Sequence, residues 1–122
     1  MRRSVSRFTA SGSRMAQAEL RIDALPEAPI DASAAFHCTH LERARERLST
    51  GADALAIVLP HAPTDHDDWR RALARDLARA HAPQRVNVIG GGSPPEALAA
   101  MLEYLRDAPG ITGQYLPLHE QD

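Results

Sequence analysis

The amino-acid sequence predicts a single α/β domain, with a mostly parallel sheet of about four strands and helices on both faces. Three observations favour this fold. From about residue 16, short apolar runs alternate with segments of helical periodicity, which is the order of stacked βαβ units. The run 54–59 (ALAIVL) is apolar throughout, as in a central parallel strand. The 122 residues, 43% hydrophobic and 25% charged, suit one globular domain.

The first strand is predicted over residues 18–25. Leu20, Ile22 and Ala24 alternate there with charged residues, and Pro26 closes the run. Because only one side of such a strand is apolar, we expect it at an edge of the sheet.

A helix is predicted next, capped by Asp31 or Ser33 and ending at about Leu48. Helical spacing predicts which residues face inward. They are Cys38, Leu41, Ala44 or Arg45, and Leu48.

A second helix is predicted from Thr64 or Asp65 to His81. Asp67 and Asp68, like Asp65, complement the positive end of the helix dipole, so we assign all three carboxylates a structural role. The buried stripe of this helix is expected to consist of Trp69, Leu73, Leu77 and Ala80.

The segment 85–89 (RVNVI) is predicted to be a strand, and three glycines follow it. The sequence 93–96 (SPPE) is a capping box with proline at the first helical position, which predicts the start of the last helix. Residues 109–110 (PG) end that helix, and residues 114–118 can return as a last strand. The helix is expected to turn Leu98, Met101, Leu102 and Leu105 inward.

All 14 basic residues of the chain are arginine. Schiff-base chemistry, phosphate-binding lysines and lysine-tuned acid–base pairs are therefore excluded. Cys38 is the single cysteine, so an internal disulfide and multi-cysteine metal sites are excluded as well. No apolar run reaches the length of a membrane span, and we expect a cytoplasmic protein.

Residues 1–15 are expected to form a disordered basic leader, and residues 16–122 the folded domain. Residues 1–18 carry four arginines and no acid, although the whole chain has a net charge of −2. The four arginines are compatible with contact to nucleic acid, but such contact is not expected. Met15 is an alternative start to Met1.

A mononuclear metal site is an alternative interpretation of the histidines. His37, His40, His61 and His66, with Asp65, lie in neighbouring segments, but their spacing is unspecific, so we predict no metal. Cys38 is expected to be a small buried side chain and not a nucleophile.

The residues around the glycine turn are the candidate ligand site. Successive backbone N–H groups, a hydroxyl and a helix N-terminus can there face one anion at the carboxyl end of the sheet. A purely structural strand-to-helix turn is the alternative reading of the same residues. The candidate residues are Asn87, Gly90, Gly91, Gly92 and Ser93.

Segments 73–78 (LARDLA), 85–89 (RVNVI) and 111–114 (ITGQ) follow one another as helix, strand and closing strand. In this order and spacing they resemble the C-terminal third of the short-chain dehydrogenase/reductase family. The resemblance covers about residues 53–118. It implies a three-layer, Rossmann-like domain in which whole units of the longer family fold are absent or remodelled.

The resemblance also implies where catalysis should be, and there the sequence departs from the family. The family uses a tyrosine with a lysine one helical turn later, whereas residues 61–65 contain neither. The glycine-rich cofactor turn is degraded too. Residues 9–16 have Ala10, Arg14 and Ala16 at its three glycine positions.

The resemblance therefore implies a non-catalytic, short-chain dehydrogenase-like protein, a binding or oligomerisation module for which no cofactor is expected. Family members commonly associate through the last helix and strand, so residues 94–118 are the expected self-association surface of a homodimer. The alternative is an NAD(P)-dependent oxidoreductase with an atypical site, using His61 or Tyr104 in place of the missing pair. The small-molecule ligand is unknown, and neither membrane nor nucleic-acid binding is expected.

Overall fold

The computed structural model describes residues 16–92 and 94–118. Its four strands form one parallel sheet in the order β1-β2-β3-β4. The predicted α/β, Rossmann-like class is confirmed. The strands are β1 (Gln17–Arg21), β2 (Ala54–Leu59), β3 (Arg85–Gly90) and β4 (Tyr115–Pro117).

Helices connect the strands. The first connection consists of α1 (Pro29–Ala35), a π-helical turn (Phe36–His40) and α2 (Leu41–Ser49). A 3₁₀ turn (Thr64–His66) leads into α3 (Asp67–His81), which joins β2 to β3, and α4 (Pro95–Arg106) joins β3 to β4. No helix among the described residues is long and apolar enough to cross a bilayer.

The sheet is covered on both faces, as predicted. Side chains of β2 and β3 alternate between two separate cores, and both strands are buried along their whole length. The larger core lies under α1–α3 and contains Leu20, Phe36, Leu48, Leu55, Ile57, Leu59, Leu73, Leu77, Val86 and Val88. The smaller core lies under α4 and contains Ala56, Val58, Ile89, Leu102 and Leu105.

The last crossover differs in hand from the first two. All three connections step across the sheet in the same direction, yet α4 lies on the face opposite to α1–α3. Crossovers on opposite faces then have opposite hands. Because βαβ units are almost always right-handed, the β3–α4–β4 connection is the left-handed exception.

β1 lies at an edge of the sheet, as its alternation predicts. The backbone N–H of Ile22 bonds to Val58 of β2, so the alternate residues direct their backbone groups outward. One of these outward groups is covered, because Arg47 Nε donates to the carbonyl oxygen of Glu19 at 3.0 Å. The side chains of Glu19 and Arg21 form an ion pair beside it.

The prediction for the first helix was wrong in two respects. The helix begins at Pro29, and Cys38 is exposed while Phe36 is buried. The π-helical turn explains the second error, because its wider turn shifts the side-chain sequence around the axis. Beyond this turn, the predicted inward positions Ala44 and Leu48 are confirmed.

Smaller corrections concern helix ends. Ala80 is exposed, since the centre of the inward face of α3 runs through Leu73, Ala74 and Leu77. The N-cap of α4 is Pro94 and makes no side-chain cap hydrogen bond. The predicted cap, Ser93, lies outside the described residues, as does the leader 1–15.

A buried and a half-buried polar side chain bond the start of β3 to its surroundings. Arg85 Nη1 donates to the carbonyl oxygens of Leu105 and Ala108 at 3.0 and 2.9 Å, at the C-terminal end of α4. A cation there complements the negative end of the helix dipole. Gln84, directly before β3, donates from Nε2 to the carbonyl oxygen of Leu48 on α2 at 2.8 Å.

Candidate functional site

Two neighbouring cavities lie at the carboxyl end of the sheet, where the loops after the strands converge. They have volumes of about 300 Å³ and about 240 Å³ and share the segment 61–63 of the loop after β2. The larger one continues along β4 and the glycine turn, and the smaller one continues toward Leu25 and Glu27 after β1. A ligand entering this end of the sheet would contact one or both.

The glycine turn supports the larger cavity through close backbone approach. A Cβ on Gly90 would lie 2.5 Å from Tyr115 Oη, and one on Gly91 would lie 2.9 Å from the carbonyl oxygen of Leu59. These distances are too short for any larger side chain. Both glycines line the cavity, and their small size lets the β2 loop and β4 close around it.

Some polar groups of the candidate ligand residues already have hydrogen-bond partners within the chain. The N–H of Gly91 donates to the carbonyl oxygen of Leu59 at 2.7 Å, so this donor is taken within the chain. Asn87 is buried, with its amide donating to Ile111 O and accepting from Gln114 N, both at 3.0 Å.

Gly92 lies against Leu118 and is not among the described residues lining the two cavities, and Ser93 is outside the described residues. Ligand binding by Asn87 and residues 90–93 stays a prediction.

Arg70 is the most unusual side chain at this end of the molecule. It is 1% exposed and lies in the wall of the smaller cavity. Its Nη1 donates to Tyr115 Oη at 3.2 Å, while its buried Nε has no hydrogen-bond partner. The guanidinium carbon lies 5.5 Å from the ring centre of Trp69 and 5.8 Å from that of Tyr115.

These contacts leave the charge of Arg70 largely uncompensated. None of the described carboxylates forms an ion pair with it. Cation–π contacts contribute about 0.5–2 kcal/mol each, whereas the burial of an unpaired charge costs several kcal/mol. Arginine does not lower this cost by deprotonating, since it stays charged in proteins.

A buried histidine completes the wall of the smaller cavity. The indole Nε1 of Trp69 donates to Nδ1 of His66 at 3.1 Å, and Nε2 of His66 lies 2.9 Å from the carbonyl oxygen of Glu27. Because an indole is only a donor and a carbonyl only an acceptor, His66 is the neutral Nε2–H tautomer in this arrangement. It links the loop after β1 to α3.

The structure separates the two residues considered as substitutes for a catalytic pair. His61 is exposed and lines both cavities. Tyr104 is 57% exposed on α4 and is not among the described residues that line them. The phenol that does line the larger cavity belongs to Tyr115, on the last strand.

The histidines considered for a metal site have partners of their own. His37 Nδ1 lies 2.7 Å from the carbonyl oxygen of Ser33, and His40 Nδ1 accepts from Arg43 Nη1 at 2.9 Å. Nowhere in 16–92 or 94–118 do three or more His, Cys, Asp or Glu side chains converge as a metal site would require.

A family model described as short chain dehydrogenase-like protein matches residues 20–118. The chain belongs to the short-chain dehydrogenase-like family. Among curated proteins and solved structures, no significant match is found. Family membership and the four-strand parallel sheet agree, since this short-chain dehydrogenase-like chain has the Rossmann-like layers that the resemblance implies.

Sequence reasoning missed the Arg70–Tyr115 contact, which joins residues 45 positions apart. The sequence does contain a local signal for one of the two residues, Arg70. Position 70 precedes Leu73 and Leu77 at helical spacing, so the inward stripe of this short-chain dehydrogenase-like chain begins with an arginine. A charged residue at a core position is the kind of exception that marks a site.

Proposed function

We propose that this protein is a non-catalytic member of its family, acting as a binding and self-association module. The supporting observation is the environment of Tyr115, the phenol in the larger cavity. Its hydroxyl contacts the guanidinium of Arg70, which cannot accept or relay a proton as an amine can. All 14 basic residues of the chain are arginine, so no lysine is available for that role.

The proposed self-association surface is the outer side of α4 within residues 94–118. Leu102 and Leu105 face the sheet, whereas Tyr104 is 57% exposed. Ala100 and Ala97 lie one and two turns before Tyr104 at helical spacing. A two-fold dimer would pack this surface against its own copy.

Sedimentation velocity tests the homodimer. We expect a dimer at about tens of micromolar protein and a shift to monomer in Tyr104→Arg. Ile30→Arg is the matched control, because Ile30 is 79% exposed but lies on α1, on the opposite face of the sheet. A monomeric wild type, or equal effects of both substitutions, would contradict the proposed surface.

The proposal also predicts that the chain does not bind nicotinamide cofactors. Titration with NADH and NADPH, followed by cofactor fluorescence, is expected to show no saturation up to about 1 mM. Saturable binding in the micromolar range would argue against a non-catalytic module.

An NAD(P)-dependent oxidoreductase with an atypical site is the second candidate function. One observation favours it, since His61 and Tyr115 line the same cavity and could both contact a carbonyl substrate. This candidate requires cofactor-dependent turnover that is lost in both Tyr115→Phe and His61→Gln. Turnover that survives both substitutions would exclude this site.

A further inference from the structure

The uncompensated charge of Arg70 lies in the wall of a cavity that opens at the end of the sheet. The side chain is 1% exposed, makes one hydrogen bond, to a neutral phenol, and has an unpartnered Nε. A buried polar group without a partner calls for an explanation, and an absent ion is one of the usual ones. Because Arg70 is a cation, an ion that partners it would be an anion.

The described carboxylates near Arg70 are engaged or turned away. Asp67, one helical turn earlier, is paired with Arg71 at 3.5 Å and lines the larger cavity, not the smaller one that Arg70 lines. Glu27 lines the same cavity as Arg70, but it is exposed and forms no ion pair with it. The chain therefore supplies no counter-charge at this position from its described residues.

The volume and the lining residues of the smaller cavity limit which class of anion fits beside Arg70. It has a volume of about 240 Å³. Arg70, His61 and neutral His66 are its polar groups apart from Glu27, and the rest of its wall is apolar, made by Leu25, Pro26, Pro60, Ala62 and Pro63. One cationic group beside an apolar wall suits a monoanion with an apolar body.

We propose that this cavity binds a small organic monocarboxylate, with its carboxylate on Arg70 and its apolar part against the proline-rich loops after β1 and β2. A guanidinium binds a carboxylate through parallel N–H donors, and one unit of charge on each side leaves the site neutral. A phosphate dianion would leave excess negative charge against prolines and next to Glu27. This site is independent of the proposed dimer surface on α4.

Trp69 is the single tryptophan of the chain, and its ring lies 5.5 Å from the guanidinium carbon of Arg70. Its fluorescence and its indole N–H resonance therefore report on the cavity. The experiment titrates the full chain with hexanoate. Hexanamide serves as the uncharged analogue of the same size, and inorganic phosphate as an anion without an apolar body, all at constant ionic strength.

We expect hexanoate to change the Trp69 signal saturably with a Kd below about 1 mM, and hexanamide and phosphate to give no saturation in that range. Arg70→Met should weaken hexanoate binding by at least about tenfold, as expected for a lost charge-assisted hydrogen bond. Arg71→Met removes the same charge from the exposed side of α3 and should leave the Kd unchanged.

The unliganded variants separate this proposal from a purely structural arginine. Arg70→Met should keep or raise the melting temperature, since it removes an unpaired buried charge. Arg70→Lys, which retains the charge without the planar fork, should bind hexanoate more weakly than wild type and more tightly than Arg70→Met. The proposal is overturned if hexanoate gives no saturable signal, if hexanamide or phosphate binds as tightly, or if Arg70→Met binds as wild type does.

Discussion

Two buried arginines at opposite ends of the sheet differ in how their charges are satisfied. Arg85, at the start of β3, is 6% exposed and donates to the carbonyl oxygens of Leu105 and Ala108. Arg70, near the carboxyl end, is 1% exposed; it donates to the hydroxyl of Tyr115 and lies against the rings of Tyr115 and Trp69. Both arginines are buried, but their hydrogen bonding differs.

This difference reflects how polar side chains are bonded at the amino and carboxyl ends of the sheet. At the amino end, the polar side chains Gln84 and Arg85 bond to backbone carbonyls of neighbouring helices and loops. At the carboxyl end, Arg70 bonds to a phenol, and its buried Nε has no hydrogen-bond partner. Cavities border both arginines, so the two ends differ in the bonding of the charge and not in the volume beside it.

The largest expected effect tests this comparison directly. Arg85→Met should lower the free energy of unfolding by about 3 kcal/mol, because the buried carbonyl oxygen of Leu105 and the half-buried one of Ala108 lose their donor. Arg70→Met should cost nothing or stabilise the chain. Urea denaturation followed by circular dichroism measures the unfolding free energy of both variants. Equal losses of unfolding free energy would contradict the difference drawn between the two arginines.

A second substitution sharpens the description of the carboxyl end. Gly91→Ala should destabilise by about 2 kcal/mol, since its Cβ would lie 2.9 Å from the carbonyl oxygen of Leu59, a backbone atom that cannot move freely. Gly110→Ala is the matched control, because no described residue other than its chain neighbours has an atom within 4 Å of its Cβ position. Urea midpoints that agree within error for the two variants would show that the turn has more room than described.

Gln84 provides a milder test of the amino end. Its Nε2 donates to the carbonyl oxygens of Leu48 and Ala52, both at 2.8 Å, and so ties the end of α2 to β3. Gln84→Ala should cost about 1 kcal/mol of unfolding free energy. Hydrogen exchange should show the loss first at α2. A neutral substitution would mean that water replaces both bonds without cost.

The smallest expected effect is a pH dependence of stability that arises at His40, away from both ends of the sheet. Partial burial, and after it the positive charge of Arg43, hold the pKa of His40 below its ordinary value of 6.5. The folded state then binds fewer protons than the unfolded state. The stabilisation is complete above about pH 6.5 and is lost as the pH falls through the lowered folded-state pKa.

Urea midpoints of wild type and His40→Gln between about pH 7.5 and pH 5.5 measure this effect, which should stay below about 1 kcal/mol because the ring is partly solvated. His40→Gln should flatten the acid limb. Arg43→Gln should flatten it in part, by removing the second cause of the shift. A wild-type midpoint that rises on acidification would contradict the sign.

Much of the fold could be predicted because its signals are local. The continuous apolar run 54–59 indicates a covered central strand, and the alternation around Leu20 and Ile22 indicates an edge strand. Helical spacing fails at Cys38, because a π-helical turn breaks the period on which the prediction depends. The amino-acid composition of residues 36–40 does not indicate a π-helical turn.

The site was less predictable because its contacts are not local. The glycines of the turn could be found from sequence, and two of them do line the larger cavity. The contact of Arg70 with Tyr115 requires β4 to return beside β3 with Tyr115 opposite Val88. Only the assembled sheet brings these side chains together, so the charge that motivates the monocarboxylate site is invisible before the fold is known.

The guanidinium that covers the carbonyl oxygen of Glu19 bears on how this chain behaves at high concentration. An open strand edge is a template for cross-β growth, and a long charged side chain laid across it hinders the approach of another backbone. In the native state, Arg47 thus occupies one backbone acceptor of β1 that an added strand would need.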